Sequence, residues 1–300
     1  MMPIPETRSI RPSRITREVF VLSLLAFGLL NHATAAAPSA AGVLRPDSFK
    51  HYIDTFNARD NELYVQHISN AATWSFLSQN IPLFDCPDPD LERTYYFRWW
   101  TFRKHIKQTP DGFIVTEFLP KVAWAGKHNS INCPAGHHFY EGRWLHDPKY
   151  LDDYGEFWFR KGGNPRRYSF WAADAIYARY LVTGDKTQPL DLLPDLVRNY
   201  GAWEENRRDS NGLFWQEDSL DGMEVSLGGS GYRATINSYM YGDAMAIARI
   251  ATLASQTNLA AQFRAKAGEL KQLVQDKLWD EPAQFFKVLP RGEGKRLAHS

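Results

Sequence analysis

From Tyr168 onward the chain alternates two kinds of apolar pattern. Ser169 to Val182 and Thr235 to Ala254 are apolar on nearly every face, the pattern of helices enclosed by protein. Asp191 to Trp203 and Leu259 to Leu278 are apolar on one side only. Leu193, Leu196, Val197 and Tyr200 mark that side in the first, and Leu259, Phe263, Leu270, Val274 and Leu278 mark it in the second. Each enclosed helix is followed by an amphipathic one, so the pairs read as hairpins. The enclosed helices also align with each other: WAADAIYARYL and MYGDAMAIARI place Asp174 over Asp243, 69 positions apart. The turns DSNGLFW and DEPAQFF correspond more loosely. Such a repeat is a series of supersecondary units, none of which can bury its apolar face alone.

Enclosed helices inside and amphipathic helices outside make two concentric layers. In a flat stack the inner helices would keep an exposed face. The expected fold is therefore all-α, an (α/α)6 toroid of helical hairpins. At roughly 70 residues per hairpin, about four of the six fit after the N-terminal segment, so the toroid is expected to be incomplete in this chain. Upstream, Asp47 to Leu77 reads mostly as helix through Phe49, Tyr52, Ile53 and Phe56. Pro87 and Pro89 stop any helix. Leu91 to Ile106 is dense in aromatics, Gly112 to Trp124 has strand-like pieces, and Gly126 to Tyr154 reads as irregular.

The N-terminus has a different purpose. Arg8, Arg11, Arg14 and Arg17 precede the apolar run Val19 to Leu30, and Ala33-Thr34-Ala35 follows as a small-residue cleavage site. The run is too short to span a bilayer. Residues 1–35 are expected to be a secretory signal peptide and 36–300 the toroid domain, in a periplasmic or secreted protein; an uncleaved anchor is the alternative. The two cysteines, Cys86 and Cys133, are too few for a disulfide framework, and whether they pair stays open.

Charge removes several function classes. The 300 residues are 23% charged with a net charge of +1, which offers nothing to nucleic acid or to an anionic membrane. Aromatics reach 14%, with 10 Trp. Many belong to a core, and a sugar cleft would use others, because pyranose faces pack on indole and phenol rings.

The stretch that concentrates chemistry is Asp209 to Asp243. Glu217, Asp218, Asp221 and Glu224 fall within eight positions, near Trp215, Tyr232 and Arg233. A long loop held between rigid helices is commonly functional. Paired carboxylates beside aromatics suit glycosidic cleavage, in which one acid protonates the leaving oxygen and a second carboxylate activates water or attacks the sugar. Spacing along one loop cannot assign both roles, and a partner from another hairpin is the more natural arrangement.

Here the residues resemble a family. Gly222-Met223-Glu224, within DGMEVS, is similar to the Gly-aromatic/Met-Asp motif of trehalases and glycoside hydrolase family 63 α-glucosidases. Tyr95-Tyr96-Phe97-Arg98-Trp99-Trp100 resembles the aromatic segment that lines the sugar pocket of trehalase-like enzymes. The run from Tyr168 to Leu253 most resembles the trehalase-like, mannosylglycerate-hydrolase-like glycoside hydrolase domain. The resemblance implies a toroid, inverting hydrolysis without a cofactor, and a general acid at Glu224, where better-known members carry Asp. Asp221 is the reserve candidate. The family's base is a Glu near the end of the barrel, and none is assigned here.

Expected sugar contacts are Arg98, Trp99, Trp100, Glu141, Arg143, Trp144, Trp215, Tyr232, Arg233 and Asn237, with an oligosaccharide or polysaccharide as partner. His128, Cys133, His137, His138 and His146 match no closed metal site by spacing. Gly228 to Gly231 lacks the strand and Lys of a phosphate loop and reads as a flexible turn. Two other functions remain: a sugar-binding or inactive homologue without its base, and a polysaccharide lyase using Tyr232 with Arg233.

Overall fold

A computed structural model of the protein describes residues 43–222, 225–292 and 294–298. Among them the chain forms α1 (Lys50–Asn57), α2 (Thr73–Asn80), α3 (Pro89–His105), α4 (Ala135–Gly142) and α5 (Lys149–Arg160). These are followed by α6 (Ala172–Thr183), α7 (Thr187–Arg207), α8 (Ala234–Leu253) and α9 (Thr257–Leu278). Three short antiparallel ribbons accompany them: β1 (Ile106–Thr109) with β2 (Gly112–Val115), β3 (Trp215–Gln216) with β4 (Gly231–Tyr232), and β5 (Trp279–Asp280) with β6 (Phe285–Phe286).

The fold is the all-α toroid of helical hairpins that the alternating pattern implies. Inner helices α4, α6 and α8 pack side by side, α6 between the other two, and each is followed by an outer helix, α5, α7 or α9. Alanine explains the inner layer. Ala172, Ala173, Ala175 and Ala178 of α6, and Ala244, Ala246, Ala248 and Ala251 of α8, are all buried. Alanine has the strongest helix propensity, and its small side chain lets neighbouring axes approach closely. The outer helix α7 turns Leu192, Leu193, Leu196, Tyr200 and Trp203 inward, and α9 turns Phe263, Ala267 and Leu270 inward. At the α6 end, Gly184 takes the left-handed conformation (φ 71°) and donates its N–H to Tyr180 O at 2.8 Å, closing the last turn.

The start of α6 is finished by its neighbour. Trp171, at the N-cap position, makes no side-chain cap. Asp243, fully enclosed on α8, accepts the N–H groups of Ala173 and Asp174 on one oxygen at 2.9 and 3.0 Å. Those amides would otherwise lack a partner in the interior. The bond also sets the stagger of the inner layer. Asp243 lies in the middle of α8, so the first turns of α8 project beyond the end of α6.

Two sequence expectations are corrected. Asp47 to Leu77 is not one helix: α1 stops at Asn57 and α2 begins at Thr73. The apolar spacing fails there, since Leu63 and Val65 are exposed. The crossing wraps a buried cation instead. Arg103 of α3 donates to Ile68 O at 2.6 Å and to the side chains of Gln66 and Asn70. Nor is Gly126 to Tyr154 irregular, for it contains α4 and the start of α5. Helix α4 has only eight residues and buries Ala135, Gly136, Phe139 and Gly142, a small-residue face that carries little apolar signal. Cys86 and Cys133 are not joined as a disulfide. No helix among the described residues is long and apolar enough to cross a membrane.

The α8-to-α6 cap carries a stability prediction. Asp243→Ala leaves two enclosed amides without an acceptor and is expected to cost about 1–3 kcal/mol, read by chemical denaturation. Asp243→Asn keeps an acceptor oxygen and should retain most of that. Burial raises the folded Asp243 carboxyl well above its ordinary value. Its contribution is therefore full below the unfolded carboxyl range and is lost as pH rises through the folded value. The Asn variant should lack this slope, and an Ala variant as stable as wild type would remove the cap from the account.

Candidate active site

The loop between α7 and α8 is held from inside by one guanidinium. Arg233, the residue before α8, is buried, and its Nε donates to Asp221 Oδ2 at 2.6 Å. Its Nη1 pairs with Asp218 Oδ1 at 3.0 Å and donates to Ser226 Oγ at 3.1 Å and to Gly229 O. Asp218 in turn accepts the Ser226 N–H at 2.7 Å and its hydroxyl at 2.6 Å. A second anchor joins the loop to α6: Ser169 Oγ donates to Asp221 Oδ1, and the Ser169 N–H donates to Leu220 O at 2.8 Å. Gly222 then turns the chain with φ 78°. The glycine-rich stretch is not a loose turn, since Gly229 is a ligand of Arg233 and Gly231 lies in β4.

This arrangement corrects the reading of Asp221 as reserve proton donor. Its side chain is fully enclosed, and both oxygens already accept hydrogen bonds. Burial pushes its carboxyl up, against the opposing pull of Ser169 and Arg233. It is an anchor. Met223 and Glu224 lie outside the described residues, so the structure has nothing to say of the Glu224 side chain.

Beside the anchored loop, the starts of the inner helices bring together side chains that sequence reasoning passed over. The Trp171 indole lies 4.6 Å from the Tyr239 ring, between centroids, and 4.8 Å from the His137 imidazole. Tyr140 stands edge-on at 6.5 Å and gives its hydroxyl to Asp174. Trp171 precedes α6, His137 and Tyr140 belong to α4, and Tyr239 lies in the part of α8 that projects beyond α6. Burial, and to a lesser degree the nearby Asp221 and Cys133 groups, raise the Tyr239 hydroxyl to about 12. Trp171 reaches α4 because residue 136 is glycine: a Cβ there would lie 2.1 Å from Trp171 Cε2. The signal for Asp174 was in the repeat. Asp174 and Asp243 hold equivalent positions, but α4 and α6 are not staggered as α6 and α8 are. Asp174 therefore meets a tyrosine hydroxyl instead of backbone amides.

The other expected contacts fall in three places. Arg98 of α3 pairs with Glu141 of α4 at 2.7 Å on the rim of a polar cleft of about 220 Å³ that also includes His105 and His138. Arg143 lies over the Tyr140 ring at 4.6 Å, and Trp144 beside it is exposed. These stay near the inner helices. Trp99, Trp100, Trp215 and Asn237 are corrected. Trp99 is buried against Phe102, and Trp100 gives its Nε1–H to Asn57 at 2.8 Å beside a separate cleft between α1 and α3. Trp215 is held against Arg207 and Arg291, whose guanidinia lie 4.1 and 3.9 Å from its ring centroid. Asn237 is fully buried and clips the loop backbone, accepting the Phe214 N–H at 2.8 Å and donating to Phe214 O at 2.7 Å. Tyr232 gives its hydroxyl to Asp209 at 2.7 Å, which occupies the group a lyase base would need. The histidines diverge: His128 bonds Asp111, His146 bonds Gln79 O, and His138 meets Tyr154.

Fold and site together define a toroid domain with an aromatic and carboxylate-bearing cluster at the starts of its inner helices. The model of the mannosylglycerate hydrolase MGH1-like glycoside hydrolase domain matches residues 127–299, more than half of the chain, and the chain belongs to that family. A solved structure titled "Sialidase" is similar at 43% identity with a TM-score of 0.81, over 84% of this chain and 24% of its own. A rhamnosidase from Klebsiella oxytoca with rhamnose bound is similar at 14% identity and TM-score 0.50, over 73% of this chain and 44% of its own. The second likeness is one of fold. The chain spans about a quarter of the first neighbour's length and less than half of the second's.

Two substitutions test this construction. Arg233→Met strands the Asp221 and Asp218 carboxylates and should cost about 3–5 kcal/mol, the usual penalty for breaking a buried ion pair from one side. Limited proteolysis should then cut within 217–230. A variant with unchanged stability and unchanged cleavage would show that Arg233 does not hold the loop. Gly136→Ala drives a methyl group into the Trp171 indole, so the near-ultraviolet dichroism of the Trp171–Tyr239 pair should change. An unaltered spectrum would place the indole elsewhere.

Proposed function

We propose that this domain belongs to a glycoside hydrolase that cleaves an oligosaccharide by inversion, with Glu224 as proton donor. The observation that carries the reading is the anchoring of the loop. Asp221 is tied to Arg233 and to Ser169, two residues before Trp171, and acts on Tyr239, which sets the chain three residues before Glu224 beside those two rings. Membership of a glycoside hydrolase family supports the reaction class. Inversion needs an acid and a base about 6.5–9.5 Å apart, so that water fits between base and anomeric carbon. The base is assigned to no residue described here.

In this reading the sugar stacks on the Trp171–Tyr239 surface, and Asp174 accepts hydroxyl hydrogens at the level of the first turn of α6. Glu224 protonates the leaving oxygen as the glycosidic bond breaks, and water completes the displacement from the other face. The substrate is an oligosaccharide or polysaccharide, and the structural neighbours named for sialic acid and rhamnose chemistry are consistent with that breadth. We further infer that residues 1–35 direct export and that the domain works in the periplasm or outside the cell.

Glu224→Gln in the protein tests the role of the acid. The probes are 4-nitrophenyl and methyl mannosides, rhamnosides and glucosides, which differ in leaving-group basicity. Loss of a positioned general acid should lower kcat on the methyl glycoside by about 10²–10⁴-fold and much less on the nitrophenyl glycoside. Near-wild-type turnover on both would remove Glu224 from the mechanism.

A further inference from the structure

A cavity of about 510 Å³ opens between the end of α1 and the first turns of α3. Its lining lies within residues 56–100, upstream of the 127–299 stretch that the family model matches, and shares no residue with the cluster at the inner helix starts. Three rings form its apolar part. Phe97 stacks on Trp100 with centroids 5.7 Å apart, and Phe56 meets Phe97 edge-on at 5.3 Å. Trp100 is fixed from behind: its indole N–H goes to Asn57, and Lys104 Nζ lies 3.8 Å from its ring centroid. Lys104 is itself paired with Asp60, another lining residue, at 2.7 Å. Phe56 and Trp100 are buried, whereas Phe97 is 44% exposed.

The polar lining carries both signs. Asp60 is taken by Lys104 and by Asn70 at 2.9 Å. Arg59, Arg93 and Asp90, all lining the cavity, have no side-chain hydrogen bond or ion pair among the described residues. Thr94 Oγ gives its hydrogen to Asp90 O at 2.7 Å and keeps its lone pairs for another donor. One exposed arginine without a partner is ordinary; two guanidinium forks and a carboxylate around one concave ring surface form a set. Such a set matches a molecule with an apolar face and a rim of groups that both donate and accept, which describes a pyranose. A carboxylate ligand would gain the two arginines but meet Asp90 and Asp60. A purely apolar ligand would leave all three free charges unused.

We propose that this cavity is a second, non-catalytic binding site for a pyranose unit of a neutral oligosaccharide or polysaccharide. The sugar's apolar face lies on Phe97, and its hydroxyls are shared among Arg59, Arg93 and Asp90. The cavity's size falls in the range of about 300–1,000 Å³ usual for small-molecule sites. The class of ligand rests on the hydrolase reading; the place and its chemistry do not. A glycan chain held here is kept at a high local concentration near the rest of the domain, so the site favours long chains over single sugars.

The experiment is affinity electrophoresis of the whole protein in native gels cast with mannan, soluble starch, mixed-linkage β-glucan or polygalacturonate. Retardation is expected in at least one of the three neutral polysaccharides. Arg93→Gln, at an exposed position, should weaken that binding about ten- to hundredfold, the worth of a hydrogen bond to a charged group. Phe97→Ala should weaken it at least tenfold through loss of the stacking surface, with its fold checked by thermal denaturation. Glu224→Gln should be retarded as the wild type is, and both cavity variants should turn over the nitrophenyl glycosides at the wild-type rate. Retardation in no gel, retardation in polygalacturonate alone, or retardation indifferent to both cavity substitutions overturns the proposal. None of these results touches the role of Glu224, which the leaving-group comparison reads separately.

Discussion

The bond from the Asp243 carboxylate to the first amides of α6 is the constraint on which the site depends. A carboxylate in the interior is costly unless its oxygens are bonded, and free amides at a buried helix start are costly for the same reason. Each removes the other's penalty only at one axial position. The contact therefore fixes how far α8 slides along α6. With Asp243 there, the first turns of α8 stand clear of the α6 end and carry Tyr239 to the level of Trp171. Without that stagger the inner helices would end flush and Trp171 would lose Tyr239 as its neighbour.

Arg233 extends this logic from helix to loop. It sits where β4 passes into α8, so its position follows from α8, and its donors then dictate where Asp218, Asp221, Ser226 and Gly229 must lie. Asp221 passes the constraint to Ser169, just before α6. The loop is long, yet its course is set at both sides by buried charge, and this is what lets residues far apart in sequence share one site.

The hairpin architecture was legible because α6 to α9 differ in the one property that periodicity reports, apolar all round against apolar on one side. Helix α4 was hidden for the opposite reason: Phe139 is the one large apolar residue on a buried face otherwise made of alanine and glycine. In the site, the loop and its acids were visible as composition, but the division of labour among them was not. Asp221 resembles a catalytic acid in every respect that a sequence records, and only the approach of Ser169 from another hairpin shows that it is an anchor. Trp215 was misread because one of its ring partners, Arg291, comes from far along the chain, and Trp99 because its burial against Phe102 of its own helix leaves no trace in its periodicity. Trp171 was absorbed into a helix pattern, whereas it precedes α6 and leans across Gly136.

The pair Asp174 and Asp243 shows how a repeat puts one residue type in two settings. Both carboxylates stand at the same place in the hairpin, and both are raised by burial. Where the next inner helix is staggered, the carboxylate finds amides and becomes part of the scaffold. Where it is level, the carboxylate finds a tyrosine hydroxyl and stays only partly buried. No change in residue type separates the two roles, only an axial displacement of one helix against another. Polar groups are inherited from the structural repeat, and the stagger at a single interface decides whether a carboxylate caps a helix or meets a side chain.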